Sequence, residues 1–246
     1  MSRWKAASIH LCISLAIGLI AALLIFGVWY PPPYAQAAGA SHLVLLLLGV
    51  DLLLGPLLTL VVFKAGKKSL RFDLSVIALV QIAALVYGLS IVVRARPVFI
   101  VGADDRFTLV SAYEVDAADL ADGRAPLFQS ASWTGPRLVA VQRPTAEEEK
   151  KALTDDLFRG KDLEYLPRHY VDYEQEAPNL ASRGRPLAEL RNKPGGSAVL
   201  DAWLERSGRK EADAVYVPLR SSTSGLAMIL EPRSGKLLDV LPIDPW

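Results

Sequence analysis

The sequence predicts a membrane protein, a three-helix transmembrane bundle followed by an α+β extracytoplasmic domain with antiparallel strands. Three observations carry this. The first hundred residues hold three apolar runs of about twenty residues, each long enough to cross a hydrocarbon layer about 30 Å thick. The charge divides along the chain. Residues 1–96 carry eight Lys/Arg and two Asp/Glu, whereas residues 97–246 carry nineteen and twenty-four, so the net +1 hides a basic-flanked anchor and a mildly acidic domain. From Pro97 onward, short β-rich segments alternate with turn residues and helical patterns. A mean hydropathy of +0.27 agrees with an embedded first third. An acidic domain without a basic face argues against nucleic acid as a partner.

The predicted spans are about residues 9–29, 42–63 and 73–93, and none contains Lys or Arg. Trp29 and Tyr30 close the first in the manner of headgroup-level aromatics, and Pro31-Pro32-Pro33 stops the helix. Arg3 and Lys5 precede the first run, and Lys64, Lys67, Lys68 and Arg71 crowd the link between the second and third. The link of residues 30–41 has no Lys or Arg. The positive-inside rule therefore puts the N-terminus in the cytoplasm and everything after residue 96 outside, against the minority vote of Arg94 and Arg96. In a Gram-negative cell this is a multi-pass inner-membrane protein with a periplasmic domain. A rival reading makes the first run a signal peptide cleaved near Ala35-Gln36-Ala37, but the run exceeds the usual 7–15 residues.

The domain of residues 97–246 begins with segments 98–101 and 107–112, a hairpin just above the membrane, turning at Gly102-Ala103-Asp104-Asp105. A short helix is expected over 115–120 and a strand within 136–142. Thr145 with Glu148 has capping-box spacing and opens a helix that runs to Phe158 and stops at Gly160. Residues 161–196 show no clear period, and Tyr165, Tyr170 and Tyr173 are expected to pack there. Residues 197–207 form an amphipathic helix with Val199, Leu200, Trp203 and Leu204 on one face and Gly208 at its end. Segments 214–219, 226–230 and 237–241 close the chain as an antiparallel meander.

No catalytic or metal motif is present. His10, His42 and His169 have no metal-ligand spacing, and Cys12, the one cysteine, sits inside the first apolar run as a small lipid-facing residue. There is no GxSxG, P-loop or GxGxxG. Glu147-Glu148-Glu149 reads as a helix N-terminus, Asp155-Asp156 as a solvated face, and His169 as a surface loop residue. No enzyme activity and no cofactor are expected.

The polar residues inside the spans are the candidate site. Asp51 lies nine residues into the second run, about 13 Å deep at 1.5 Å per residue. An ionised Asp at a helix centre costs about 2.5–3.5 kcal/mol, so this one is expected to be protonated, paired or turned toward protein. Gln81 lies at a similar depth, about 12 Å from the opposite face, and Ser14 is a second candidate partner. Pro56 removes a helix hydrogen bond, and Gly49 and Gly55 permit close helix approach. Two readings stand. Asp51 and Gln81 hold the three helices together, or with Pro56, Gly49 and Gly55 they offer a polar groove to a visiting transmembrane helix.

The stretches GVDLLLGPLLTLVVF and KAGKKSLRFDLSVIALVQIAALVYG are long and specific. With RWKAASIHLCISL at the start and SGKLLDVLPIDPW at the end, they resemble the TfpX/TfpZ family of type IV pilin accessory proteins. The resemblance is strong over the membrane region and loose beyond it, and residues of about 115–195 carry none of it. It implies an inner-membrane, chaperone-like factor that supports assembly of a cognate type IV major pilin, with other pilus assembly components and membrane lipid as further partners. It also implies that the partner waits in the membrane on an apolar helix bearing a Glu and a positively charged N-terminus. The alternative from a different class is a membrane-anchored extracytoplasmic sensor signalling through a partner chain, since its own cytoplasmic part is a few residues and one short link.

Overall fold

The computed structural model describes residues 2–246. Helix α1 (Arg3–Leu24) opens on Ser2, whose hydroxyl accepts the Lys5 N–H at 3.2 Å. It widens into a π-helical turn, Ile25–Trp29, and ends at Tyr30, before three residues that have no N–H to continue the ladder. A single turn, α2 (Tyr34–Ala37), leads into α3 (Ala40–Val62), and α4 (Leu70–Ala95) follows. Three helical stretches, Arg3–Trp29, Ala40–Val62 and Leu70–Ala95, are long and apolar enough to cross a membrane. They run past the expected spans at most of their ends, because the flanking Arg and Lys residues are good helix formers.

The three helices form an open row. α1 packs on α3 and α3 on α4, while α1 and α4 hardly meet. Ser14, Gly18, Ala21 and Ile25 recur at helical spacing and form the buried seam of α1. Small residues bring the backbones close, and the Leu48 side chain of α3 lies against Gly18.

Strand β1 (Pro97–Ala103) begins two residues after α4 ends and hairpins into β2 (Arg106–Ser111). Helix α5 (Ala117–Ala121), β3 (Arg137–Val141), α6 (Glu147–Phe158), β4 (Tyr170–Asp172), α7 (Tyr173–Ser182), β5 (Arg185–Pro186), α8 (Gly196–Ser207), β6 (Val215–Arg220), β7 (Leu226–Leu230) and β8 (Leu237–Leu241) follow. They build one sheet in the order β4-β3-β1-β2-β6-β7-β8, with β5 on β6. The expected antiparallel sheet is corrected here. β1 pairs with β3 and β2 with β6 in parallel, so the sheet is mixed. The chain between β1 and β3, and between β2 and β6, is long enough to return to the same end, which parallel pairing requires.

Both faces are covered, which is why β1 and β7 are buried at every position and show no alternation. One face packs Ile100, Phe107, Leu109, Met228 and Leu230 under α7. The other face has two clusters. Phe99, Val101 and Val139 lie with Leu153 of α6 and Tyr170, and Tyr216, Ala227 and Ile229 lie with Leu200 and Trp203 of α8. Each of these fully buried large side chains contributes about 1.5–3 kcal/mol. Phe99 and Tyr170 also meet edge-on at 5.2 Å between ring centroids.

Several local expectations change. α6 starts at Glu147 after Ala146 with no side-chain cap, so the Thr145–Glu148 capping box is not formed. Asp156 is not simply solvated, because it pairs with Arg168. His169 is buried, at 2% exposure, where a surface residue was expected. The tight turn Pro167–His169 tucks it inward, and its carbonyl accepts the Gln142 N–H at the end of β3. The unassigned stretch 161–196 holds β4 and α7, and Tyr170 and Tyr173 are buried in it as expected.

The helices and the sheet domain are joined through Ala37 and Arg96. The Ala37 carbonyl accepts from the Ser221 hydroxyl at 2.7 Å and the Thr223 N–H at 3.1 Å, and Ala37 itself belongs to the sheet core. Beside them Tyr30, fully buried, ties the end of the first long helix to α4 by donating its hydroxyl to the Val92 carbonyl. Arg96, also buried, donates to the Ser132 and Val93 carbonyls and lies 4.0 Å from the Trp133 ring centre. That satisfies the one buried cation at this end of α4.

Candidate functional site

Because α1 and α4 flank α3 without closing on each other, a groove runs between them with α3 as its floor. A cavity of about 180 Å³ sits in it, walled by Ser14 and His10 of α1 and by Gln81 and Ile82 of α4, with Asp51 beneath. Asp51 also borders an apolar cavity of about 170 Å³ on the α3–α4 side, beside Leu47 and Gly88. Its Oδ1 is buried and has no hydrogen-bond partner.

Gln81 meets Asp51 at the main chain as well as lying beside its carboxyl group. Its Nε2 donates to the Asp51 main-chain carbonyl at 3.4 Å. The local sequence explains this. In a helix the Asp51 carbonyl points toward residue 55, and a Cβ at Gly55 would overlap the Gln81 amide. Glycine at 55 opens that carbonyl to a second donor from α4, using the lone pair its helix bond leaves free. One oxygen of the Asp51 carboxyl group, Oδ1, stays without a partner.

Of the other residues singled out in the sequence, Pro56 lies inside an α3 that continues through it, one residue from the Gly55–Gln81 contact. Gly49 faces open space, with nothing near where its Cβ would lie. Arg3 and Lys5 sit on the first turn of α1. Lys64, Lys67, Lys68 and Arg71 lie at the α3–α4 link, where Lys67 pairs with Asp73 at 2.6 Å. All six are at the end of the row away from the sheet domain, since α1 and α3 run antiparallel.

Three contributors were not singled out beforehand. His10 Nδ1 lies 2.6 Å from the Thr59 hydroxyl, tying α1 to α3 one side of the groove. Gly88 receives the Leu47 side chain, which a Cβ would displace. Gly18 and Ala21 join Ser14, the second candidate partner, in the α1 seam. The 4-3 spacing of small residues was a readable signal for the seam, whereas the His10–Thr59 pair joins positions 49 residues apart and has none.

Among the described residues, no group of three or more His, Cys, Asp or Glu is placed to hold a metal ion. Charged residues of the sheet domain form ion pairs, including Lys161 with Asp116 and Asp119, and Arg191 with Asp201 and Glu211.

A protein-family model described as Fimbrial assembly protein FimB matches residues 1–39, the first long helix and the loop after it. The "Fimbrial assembly protein, serogroup I" of Dichelobacter nodosus is 30% identical over 246 residues, 98% of this chain and 95% of that protein. The serogroup E1 protein of the same organism is 30% identical with the same coverage. The "Fimbrial assembly protein, serogroups C1 and C2" is 38% identical over 109 residues, 44% of this chain and 83% of that protein. No solved structure matches. Similarity that runs along nearly all of both chains, together with the family match at the first helix, shows that the chain belongs to the fimbrial assembly protein family.

Proposed function

We propose that this protein is a non-catalytic accessory factor of the bacterial inner membrane that binds a pilin and supports its assembly into type IV pili. Residues 1–96 are its anchor and residues 97–246 its periplasmic domain. The N-terminus and the basic α3–α4 link lie in the cytoplasm. The names of the relatives support the role in fimbrial assembly, and the TfpX/TfpZ resemblance narrows the partner to a type IV major pilin.

The observation that carries the binding reading is the uncommitted Asp51 Oδ1 on the floor of the α1–α4 groove. A buried acceptor without a donor is costly in hydrocarbon, by several kcal/mol per group, and a partner helix bringing a donor removes that cost. The cavity of about 180 Å³ between α1 and α4 has room for a side chain of such a helix. Asp51, Gln81, Pro56, Gly49 and Gly55 are its proposed contact residues, and the acidic domain faces the pilin head.

In-cell photo-crosslinking from position 51 tests this, with position 53, an outward-facing leucine of the same helix, as control. A pilin adduct from 51 and none from 53 is expected. An adduct only to α4 of the same chain makes Asp51 internal glue. Full piliation by a normally expressed Asp51→Leu variant also rules the groove out.

A further inference from the structure

We propose that the sheet domain rests on the bilayer through an aromatic rim of Tyr113, Leu127 and Trp133, whose side chains enter the headgroup layer beside the ends of α1 and α4. The inference rests on the reading that the three long helices span a membrane.

The geometry places all three residues at one level. Tyr113 follows β2 in a short turn, and the N–H of its neighbour Ala112 donates to the Arg96 carbonyl at 2.9 Å, one residue past the end of α4. Trp133 carries the ring over the Arg96 guanidinium. Two residues on, a Cβ at Gly135 would lie 3.0 Å from Pro31 Cγ and 3.8 Å from the Val28 carbonyl, which is still inside the first apolar helix. The Leu127 carbonyl accepts from Arg137 at 2.5 Å, and Arg137 starts β3 opposite Phe99, at the helix-proximal end of the sheet. The same guanidinium holds the Ser130 carbonyl at 2.7 Å, which fixes the loop between Leu127 and Trp133.

These residues face outward. Tyr113 and Trp133 are 60% exposed and Leu127 49%. Large apolar groups left in water at the foot of a domain cost free energy. Trp and Tyr are the residues that favour the headgroup zone, where the ring is half in hydrocarbon and its polar edge is wet. The patch continues the surface of helices that already meet lipid, so lipid is the occupant that needs no further partner. A domain seated this way, and fixed through Ala37 and Arg96, presents its remaining faces at a constant angle to the membrane.

The test uses the full chain in lipid bilayers, with Cys12→Ser to clear the native thiol. Tyr113→Cys and Leu127→Cys carry an environment-sensitive fluorophore, and Trp133 stays in place to keep the Arg96 contact. Leu79→Cys, on the outward face of α4, reports the span. Asp105→Cys reports the hairpin tip, about 20 Å along β1 from α4 at 3.3 Å per residue. Labels at 113 and 127 are expected to be quenched by a shallow lipid-borne nitroxide and shielded from aqueous iodide, with the reverse at 105. If iodide quenches 113 and 127 as fully as 105 while 79 answers only to a deep nitroxide, the rim is overturned and the span stands. If 79 is open to iodide, the spanning reading falls and the rim with it. If neither quencher reaches 113 and 127, protein covers them and the rim is overturned.

Discussion

The Tyr30 hydroxyl donates to the Val92 carbonyl at 2.9 Å, closing the exit of the first long helix onto the last turn of the third. The last four carbonyls of a helix lack intrahelical donors. In α4, Tyr30 satisfies Val92 and Arg96 satisfies Val93. Tyr30→Phe keeps the ring and strips one of these caps, leaving a buried carbonyl unpaired. We expect a loss of about 1–3 kcal/mol, read as a lower melting temperature of the detergent-solubilised protein. A Phe variant that melts with the wild type would mean the Val92 carbonyl finds water there.

The Gly55–Gln81 contact predicts a change of sign. In an exposed helix, Gly→Ala gains about 1 kcal/mol in helix propensity. Here the new Cβ displaces the Gln81 amide from the Asp51 carbonyl, an interhelical bond of a kind worth about 0.6 kcal/mol, and crowds α4. Gly55→Ala should therefore be neutral or destabilising alone and stabilising in a Gln81→Ala background. Additive effects of the two changes would show that Gln81 does not occupy the space at Gly55.

The helices, the opening hairpin, α8 and the closing meander were legible in the sequence, because each is decided by local period, turn residues or run length. The mixed pairing was not. It depends on which ends of β1, β3, β2 and β6 meet across long connections, and strands buried on both faces carry no alternation to orient them. α7 carries a proline at position 178, within its span, which hid its period. The polar residues of the groove could be named in advance. That Gln81 reaches the Asp51 main-chain carbonyl follows from the missing side chain at Gly55, a tertiary relation.

His169 predicts an acid sensitivity. Burial, then the neighbouring Arg168 and Arg124 charges, hold its imidazole below the ordinary value of 6.5. Its Nε2 accepts from Arg168 at 3.2 Å, so the folded state favours the neutral ring. The unfolded chain takes up a proton near 6.5 and the folded one does so only at lower pH. Stability from this residue is therefore complete above about pH 6.5 and is lost as pH falls through the folded value. Melting temperatures between about pH 8 and pH 5 should drop more steeply for the wild type than for His169→Gln. Parallel curves would place the acid sensitivity elsewhere.

The loop after the first helix gives the last prediction. Ala37 has no exposed surface, and its carbonyl takes donors from Ser221 and Thr223, so the loop is a buried part of the sheet domain. Gly39 continues this fit, because it adopts φ 71° where a Cβ would strike the Thr223 hydroxyl. Cleavage near Ala35-Gln36-Ala37, the signal-peptide reading, would cut within this docked turn and sever the first helix from the segment seated on the domain. We expect the chain to keep its first helix, so that tags at both termini report one band. In the folded protein, residues 31–39 should resist limited proteolysis. Ala37→Asp, which places a charge in the core, should open the segment to protease, while Gln36→Asp, on the exposed side of the same turn, should not. Equal protease sensitivity of the wild type and Ala37→Asp would show that the loop is not seated on the domain, and the rigid link between helices and sheet would fall with it.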